Sequence, residues 1–198
     1  MRQQKDAPLR SDAQRNRERI LEVALVELTR SADTPLSAIA RKAGVGQGTF
    51  YRHFPSREAL VMEIYRHEMR QVAESAAPLL ESREPDRALR EWMDRLARFA
   101  MTKAGLADAI RQATSAPGKP QKPGHTPVTE AAELLLRAAE KAGSIRPGIT
   151  ADDLFLAIGG LWTIDPYDDW QPRATRLLDL VMDALRVGAP GAEGLGGG

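Results

Sequence analysis

Between Gly44 and Pro55 the chain has room for barely two turns of helix. Gly44-Val45-Gly46 puts two glycines in three residues, which permits positive φ and a tight reversal that brings two helices together at a steep angle. Phe54-Pro55 ends whatever begins at Gln47, because proline disfavours α geometry in the residue before it. Upstream, Thr34 is predicted to cap a short helix with Pro35 at its first position, where a missing N–H costs nothing. Leu36, Ile39, Ala40 and Ala43 form the apolar side of that helix, which stops at Gly44. Two short helices joined by a glycine bend are a helix-turn-helix.

The rest of the chain also has helical period. Residues 1–10 show no periodicity and are expected to be a flexible arm. Ser11 or Asp12 then caps a helix carrying Ile20, Leu21, Ala24, Leu25 and Leu28. Ser56 caps a long helix with Leu60, Val61, Ile64 and Val72 on one side. Asp86 to Lys103 carries Leu89, Trp92, Met93, Leu96, Phe99 and Ala100, and a short helix is expected around Leu106–Ala113. Ser115 to Pro127, with four prolines and two glycines, is expected to be a long loop. Val128 to Ala142 is helical up to Gly143. Thr150-Ala-Asp-Asp153 resembles a capping box and opens a helix with Leu154, Phe155, Ile158, Leu161 and Trp162. Asp165 to Asp169 breaks it, a last helix spans Arg173 to Val187, and 188–198 is expected to be a disordered tail. No alternating strand pattern occurs. The fold class is all-α, with about nine helices: a helix-turn-helix domain over 11–57 and a second helical domain over 58–187.

Composition narrows the function. The 198 residues contain no Cys, which removes disulfide frameworks, thiolate metal sites and Cys nucleophiles. The first residues lack the apolar core of a signal peptide, and Leu154 to Ile164 is too short to span a bilayer, which takes ~20 residues. A cytoplasmic protein with no membrane contact is expected. The net charge of +1 hides an asymmetry: residues 1–57 hold 11 Lys or Arg against 6 Asp or Glu, a net of +5, leaving −4 for the remainder. A basic head on an acidic body fits a polyanion partner. On charge alone, a solvated basic face fits equally.

The motif decides between them. Ile39-Ala40, Gly44-Val45, Gly48-Thr49-Phe50-Tyr51, His53-Phe54 and Ser56-Arg57-Glu58-Ala59-Leu60 stand at fixed spacing. Over roughly residues 11–65 this pattern resembles the N-terminal domain of the TetR family of transcriptional regulators. The later helices, with Gly159-Gly160-Leu161-Trp162, look like that family's ligand-binding half. The resemblance implies backbone contacts to DNA from Tyr51, His53 and Arg57, the last standing where the family usually has Lys.

The residue chemistry supports the same reading. Gln47 can give a bidentate contact to adenine in a major groove ~12 Å wide. Gly48 lets the backbone approach closely, Thr49 suits phosphate or sugar, and Arg52 can reach a base or a phosphate. Thr34 and Ser37 lie across the turn, at the same groove edge. Ile39, Ala40, Val45, Phe50 and Phe54 are expected in the core. Each polar residue has a plainer alternative as a surface or packing group.

One helix-turn-helix reads few base pairs, so a homodimer spanning two half-sites is expected. Phe155, Ile158, Gly159, Trp162, Leu177, Leu178, Val181 and Leu185 form the candidate dimer interface. Trp92, Met93, Phe99, Met101 and Trp162 are candidates to line a pocket for a small apolar or amphipathic ligand, although such aromatics are more often plain core. Gly44, Gly46 and Gly48 lack dinucleotide-binding spacing, and His53, His67 and His125 lack metal-ligand spacing. Asp152, Asp153, Asp168 and Asp169 are better explained as caps and turns than as acid–base pairs. No enzyme, cofactor or metal is expected. The chain is thus expected to be a DNA-binding regulator, a repressor released from a palindromic operator by a small molecule. The competing expectation is a helical sensor or scaffold that has kept the head without specific DNA binding.

Overall fold

The stripes of apolar residues fold as α-helices throughout the computed structural model, which describes residues 6–102 and 125–190. Among the described residues there is no strand, and the chain forms two units, one ending at His67 and one from Glu68 onward.

In the first unit α1 (Asp6–Arg30), α2 (Leu36–Lys42), α3 (Gln47–His53) and the start of α4 (Arg57–Glu74) surround one core. α1 contributes Ile20, Leu21, Ala24 and Leu28, the stripe expected from its sequence. Ile39, Ala40 and Ala43 come from α2 and its cap, Phe50 and Phe54 from α3 and its cap, and Leu60, Val61 and Ile64 from α4. α2 ends in a Schellman turn: Gly44 has φ +66°, its N–H donates to Arg41 O, and the Val45 N–H donates to Ala40 O. Ser56 caps α4, its Oγ accepting the Ala59 N–H at 3.1 Å.

Several local expectations need correction. α1 runs back to Asp6, through Ser11 and Asp12, so residues 6–10 are helix; Pro8 sits in the first turn, where no N–H is needed. Thr34 does not cap α2. Pro35 occupies the N-cap position, and the Thr34 hydroxyl donates instead to Ser31 O (2.9 Å) and Glu27 O (3.2 Å) at the end of α1. Of the two bend glycines only Gly44 needs a positive φ; Gly46 is the extended N-cap of α3, at φ −65°.

The second unit holds α5 (Ala76–Ser82), α6 (Pro85–Thr102), α7 (His125–Lys141), α8 (Ala151–Ala157), a 3-10 segment (Ile158–Thr163) and α9 (Trp170–Arg186). α6 packs against α5, α7 and α9 and buries Ala88, Leu89, Trp92, Met93, Leu96, Ala97 and Met101. The Trp92 indole N–H donates to Val72 O in the last turn of α4 at 2.9 Å. Arg90 joins Asp94 (2.7 Å) and Asp179 (2.9 Å), and Arg186 joins Asp86 (2.8 Å), pinning α6 to α9 at two places. The Thr150/Asp153 capping box forms with both hydrogen bonds in place.

The helix expected across Leu154–Ile164 tightens to 3-10 geometry from Ile158, where Gly159 and Gly160 follow. Gly160 lies against Leu177 of α9, whose Cδ2 would be 3.4 Å from an added Cβ. Pro127, placed by its sequence in a loop, falls in the first turn of α7. Gly188 and Ala189, expected in the tail, are described: Gly188 has φ +76° and Ala189 is buried. The helix expected at Leu106–Ala113, most of the loop after it, residues 1–5 of the arm and 191–198 of the tail lie outside the described residues.

Glu63 links α4 to α1. It takes Arg17 at 2.6 Å and Arg66 at 2.7 Å, and the Arg17 guanidinium also lies over the Phe54 ring, 5.8 Å from its centroid. Burial pushes the Glu63 carboxyl up, but the two guanidiniums outweigh it and hold the group below its ordinary value of 4.5. A depressed carboxyl stabilises the fold above its unfolded value, and this contribution disappears as pH falls through the folded one. Wild type is therefore expected to be more heat-stable than Glu63→Gln at neutral pH. The two should converge only once pH has fallen through the lowered folded value of the carboxyl. Circular dichroism melts across pH test this; a gap that stays constant down to acid pH removes Glu63 from the acid response.

Candidate nucleic-acid interface

α3 has one anchored side and one free side. Phe50 and Phe54 are fully buried, their rings tilted with centroids 5.8 Å apart. The anchored side turns Gln47, Gly48, Tyr51 and Arg52 outward, all exposed, at the i, i+1, i+4, i+5 spacing of one helical face. Thr49 and His53 flank this face half-buried, and the His53 ring packs at 6.1 Å from Phe54. Tyr51 keeps 44% of its surface exposed while its ring meets Phe50 edge-on at 5.6 Å. Packing fixes the ring and leaves it available at the surface.

The electrostatics of this face suit an anion. From Leu36 to His53 there is no Asp or Glu, against Arg41, Lys42 and Arg52. Lys42 is held by Glu27 of α1, whereas Arg41 and Arg52 are exposed. Ser37 is exposed on α2.

Gly48 is informative because nothing inside the head requires it. A Cβ added there would meet no atom within 4 Å, and its φ is not positive. Glycine weakens a helix relative to alanine, so the position gives up local stability with no return inside the chain.

Two expected contacts are placed otherwise. Thr34 spends its hydroxyl on the carbonyls of α1, as described above. Arg57, expected at a phosphate, donates through its two terminal nitrogens to Ala32 O and Thr34 O, each at 2.6 Å. Proximity of the 31–34 loop to the first turn of α4, between residues 23 and 25 apart in sequence, captures the guanidinium.

The second unit sorts its candidates by burial. Trp92, Met93 and Met101 are buried together along α6, and Phe99 of the same helix is half-buried. Trp162 is 52% exposed on the 3-10 segment, so it faces solvent where the other four do not. Among the dimer candidates Ile158, Leu178, Val181 and Leu185 are buried within their own chain. Phe155, Gly159 and Leu177 are half-buried. Apolar surface is presented by Leu156, 80% exposed, by Leu134, Trp162 and Tyr167, and, on α9 and its C-cap, by Leu180, 67% exposed, and Val187. Among the described residues no group of His, Asp and Glu could hold a metal ion, and no helix is long and apolar enough to cross a membrane.

Comparisons with known proteins agree with this geometry. Residues 20–64 match the family model of bacterial regulatory proteins of the tetR family. Residues 84–187 match the C-terminal domain of SbtR-like transcriptional regulators. A TetR transcriptional regulator from Streptomyces coelicolor is 40% identical, with 86% of this chain and 98% of that one covered and a TM-score of 0.71. A TetR regulatory protein from Mycobacterium vanbaalenii is 32% identical, with 90% and 99% covered and a TM-score of 0.66. No curated protein matches the chain. With its outward α3 face, its two matched halves and relatives of this identity, the chain belongs to the TetR family of transcriptional regulators.

Proposed function

We propose that this regulator acts in the cytoplasm as a homodimeric, non-enzymatic repressor that holds a palindromic operator and leaves it when a small apolar or amphipathic molecule binds. The observation carrying the reading is the outward face of α3, where Gln47, Gly48, Tyr51 and Arg52 form one exposed stripe with no carboxylate beside them. Gln47 at the first position of α3 reads a base edge, and Gly48 lets the helix backbone sit close to the groove floor. Tyr51, His53 and Thr49 fix register on phosphate and sugar, and Arg52 adds charge.

Dimerisation uses what the single chain leaves uncovered. On α9 and its C-cap, Leu177, Leu180, Ala184 and Val187 succeed each other at intervals of three, four and three, the spacing of a helix–helix seam. Leu156 and Trp162 extend the apolar surface from α8 and the 3-10 segment. A twofold partner covering this surface supplies the second α3 that a palindrome of two half-sites requires.

Ligand response rests on α6. Trp92, Met93, Phe99 and Met101 are adaptable apolar groups, and Trp92 holds the last turn of α4 through Val72 O. A ligand that displaces Trp92 releases that bond and biases the helix whose first turn lies in the head. A coupling of about 1–3 kcal/mol changes operator affinity by roughly 5–150-fold.

Three outcomes test the proposal, starting from a duplex selected out of a random-sequence pool. Gly48→Ala is expected to stabilise the head, by about 0.5 kcal/mol in denaturant unfolding, while weakening duplex binding at least several-fold. Equal or tighter binding by that variant removes the close-approach role. Gln47→Ala should flatten base preference at one position of each half-site and leave the other positions alone; an unchanged preference profile excludes base reading by Gln47. Leu180→Glu should convert a dimer to monomer in sedimentation without lowering helix content, and a dimer that survives places the interface elsewhere.

A further inference from the structure

Arg57 opens α4 and thus puts a cation at the positive end of a helix dipole, where charge of that sign is disfavoured. Its guanidinium is compensated from elsewhere. One terminal nitrogen donates to Ala32 O and the other to Thr34 O, both at 2.6 Å. Charge-assisted bonds of this kind are the stronger class of hydrogen bond.

The two carbonyls lie on the connection between α1 and α2. From the other side the same connection is tied to α1: the Thr34 hydroxyl donates to Ser31 O and Glu27 O, and the Thr34 N–H donates to Ser31 O at 3.1 Å. Thr34 therefore gives its hydroxyl and N–H to the α1 side and receives Arg57 on its carbonyl. The place where α2 starts is thus set by α1 and α4 jointly. α2 in turn ends in the Gly44 turn that launches α3.

We propose that Arg57 is a positioning residue for DNA binding. It braces the loop that enters α2, and it contributes to duplex affinity through the pose of α2 and α3 rather than by contact with a phosphate. The inference rests on the DNA-binding reading above for its functional half, and on the two hydrogen bonds for its structural half. A planar guanidinium offers donors in a fixed fork, which suits two carbonyls side by side on one loop. A lysine in its place keeps the charge but presents a compact ammonium on a flexible stem. The brace and the phosphate contact therefore differ in what Arg57→Lys does.

The test uses the full chain as wild type, Arg57→Lys and Arg57→Ala. Binding to the duplex recovered by selection is followed by fluorescence anisotropy over a series of salt concentrations. Amide hydrogen exchange of residues 32–36 is measured without DNA. With a brace, both variants weaken binding by about 10-fold or more, the slope of log affinity against log salt stays at the wild-type value, and exchange at Thr34, whose N–H is bonded to Ser31 O, accelerates. With a phosphate contact, Arg57→Lys retains affinity, Arg57→Ala lowers the salt slope by about 0.9 per head, and exchange is unchanged; that result overturns the proposal. Unaltered exchange in both variants overturns it as well. If no duplex is bound at all, the DNA-binding reading fails, and exchange alone still decides whether the brace exists. Should Arg57→Ala fail to fold, Arg57→Lys carries both measurements.

Discussion

Everything the head can do depends on two phenylalanines. A helix of seven residues has no stability of its own, since isolated helices shorter than about 12–15 residues are marginal in water. Phe50 and Phe54 supply what α3 lacks by sinking completely into a core shared with α1, α2 and α4. Arg17 closes over the Phe54 ring, and Glu63 holds Arg17 in place. Because the anchored side is rigid, the opposite side is rigid too, and its polar groups stand in a fixed array. A preorganised array loses little conformational freedom when it meets a duplex.

Much of the fold was legible because helical period survives tertiary packing. The buried sets on α1, α6, α7 and α9 follow the stripes visible in the sequence, and Gly44 and Gly143 end their helices as their positions suggest. The division of α4 from α5 is marked in the sequence only by Pro78, which stands in the first turn of α5 and lacks the N–H that a continuous helix would bond to Glu74 O. Ser75 at the break stays in the αR region, with φ −73° and ψ −13°. The switch to 3-10 geometry at Ile158 was hidden, because the i, i+3 spacing of the buried Ile158 and Leu161 fits either helix.

The candidate site divides in the same way. The outward set of α3 followed from spacing once Phe50 and Phe54 were assigned to the core. The hydrogen bonds of Thr34 and Arg57 did not, since each depends on a neighbour that is distant in sequence or on another element. On α9 periodicity draws attention to the strongest apolar stripe, Leu178, Val181 and Leu185, and the chain buries that stripe in its own core. The apolar surface left exposed on this helix is at Leu180, visible only after the core has claimed its share.

The separation of the two faces of α3 has an evolutionary corollary. Gln47, Gly48 and Arg52 carry none of the head's interior, so exchanging them leaves its folding intact. A scaffold of this design can be re-aimed at a new genetic address by a handful of surface substitutions, without passing through an unstable ancestor.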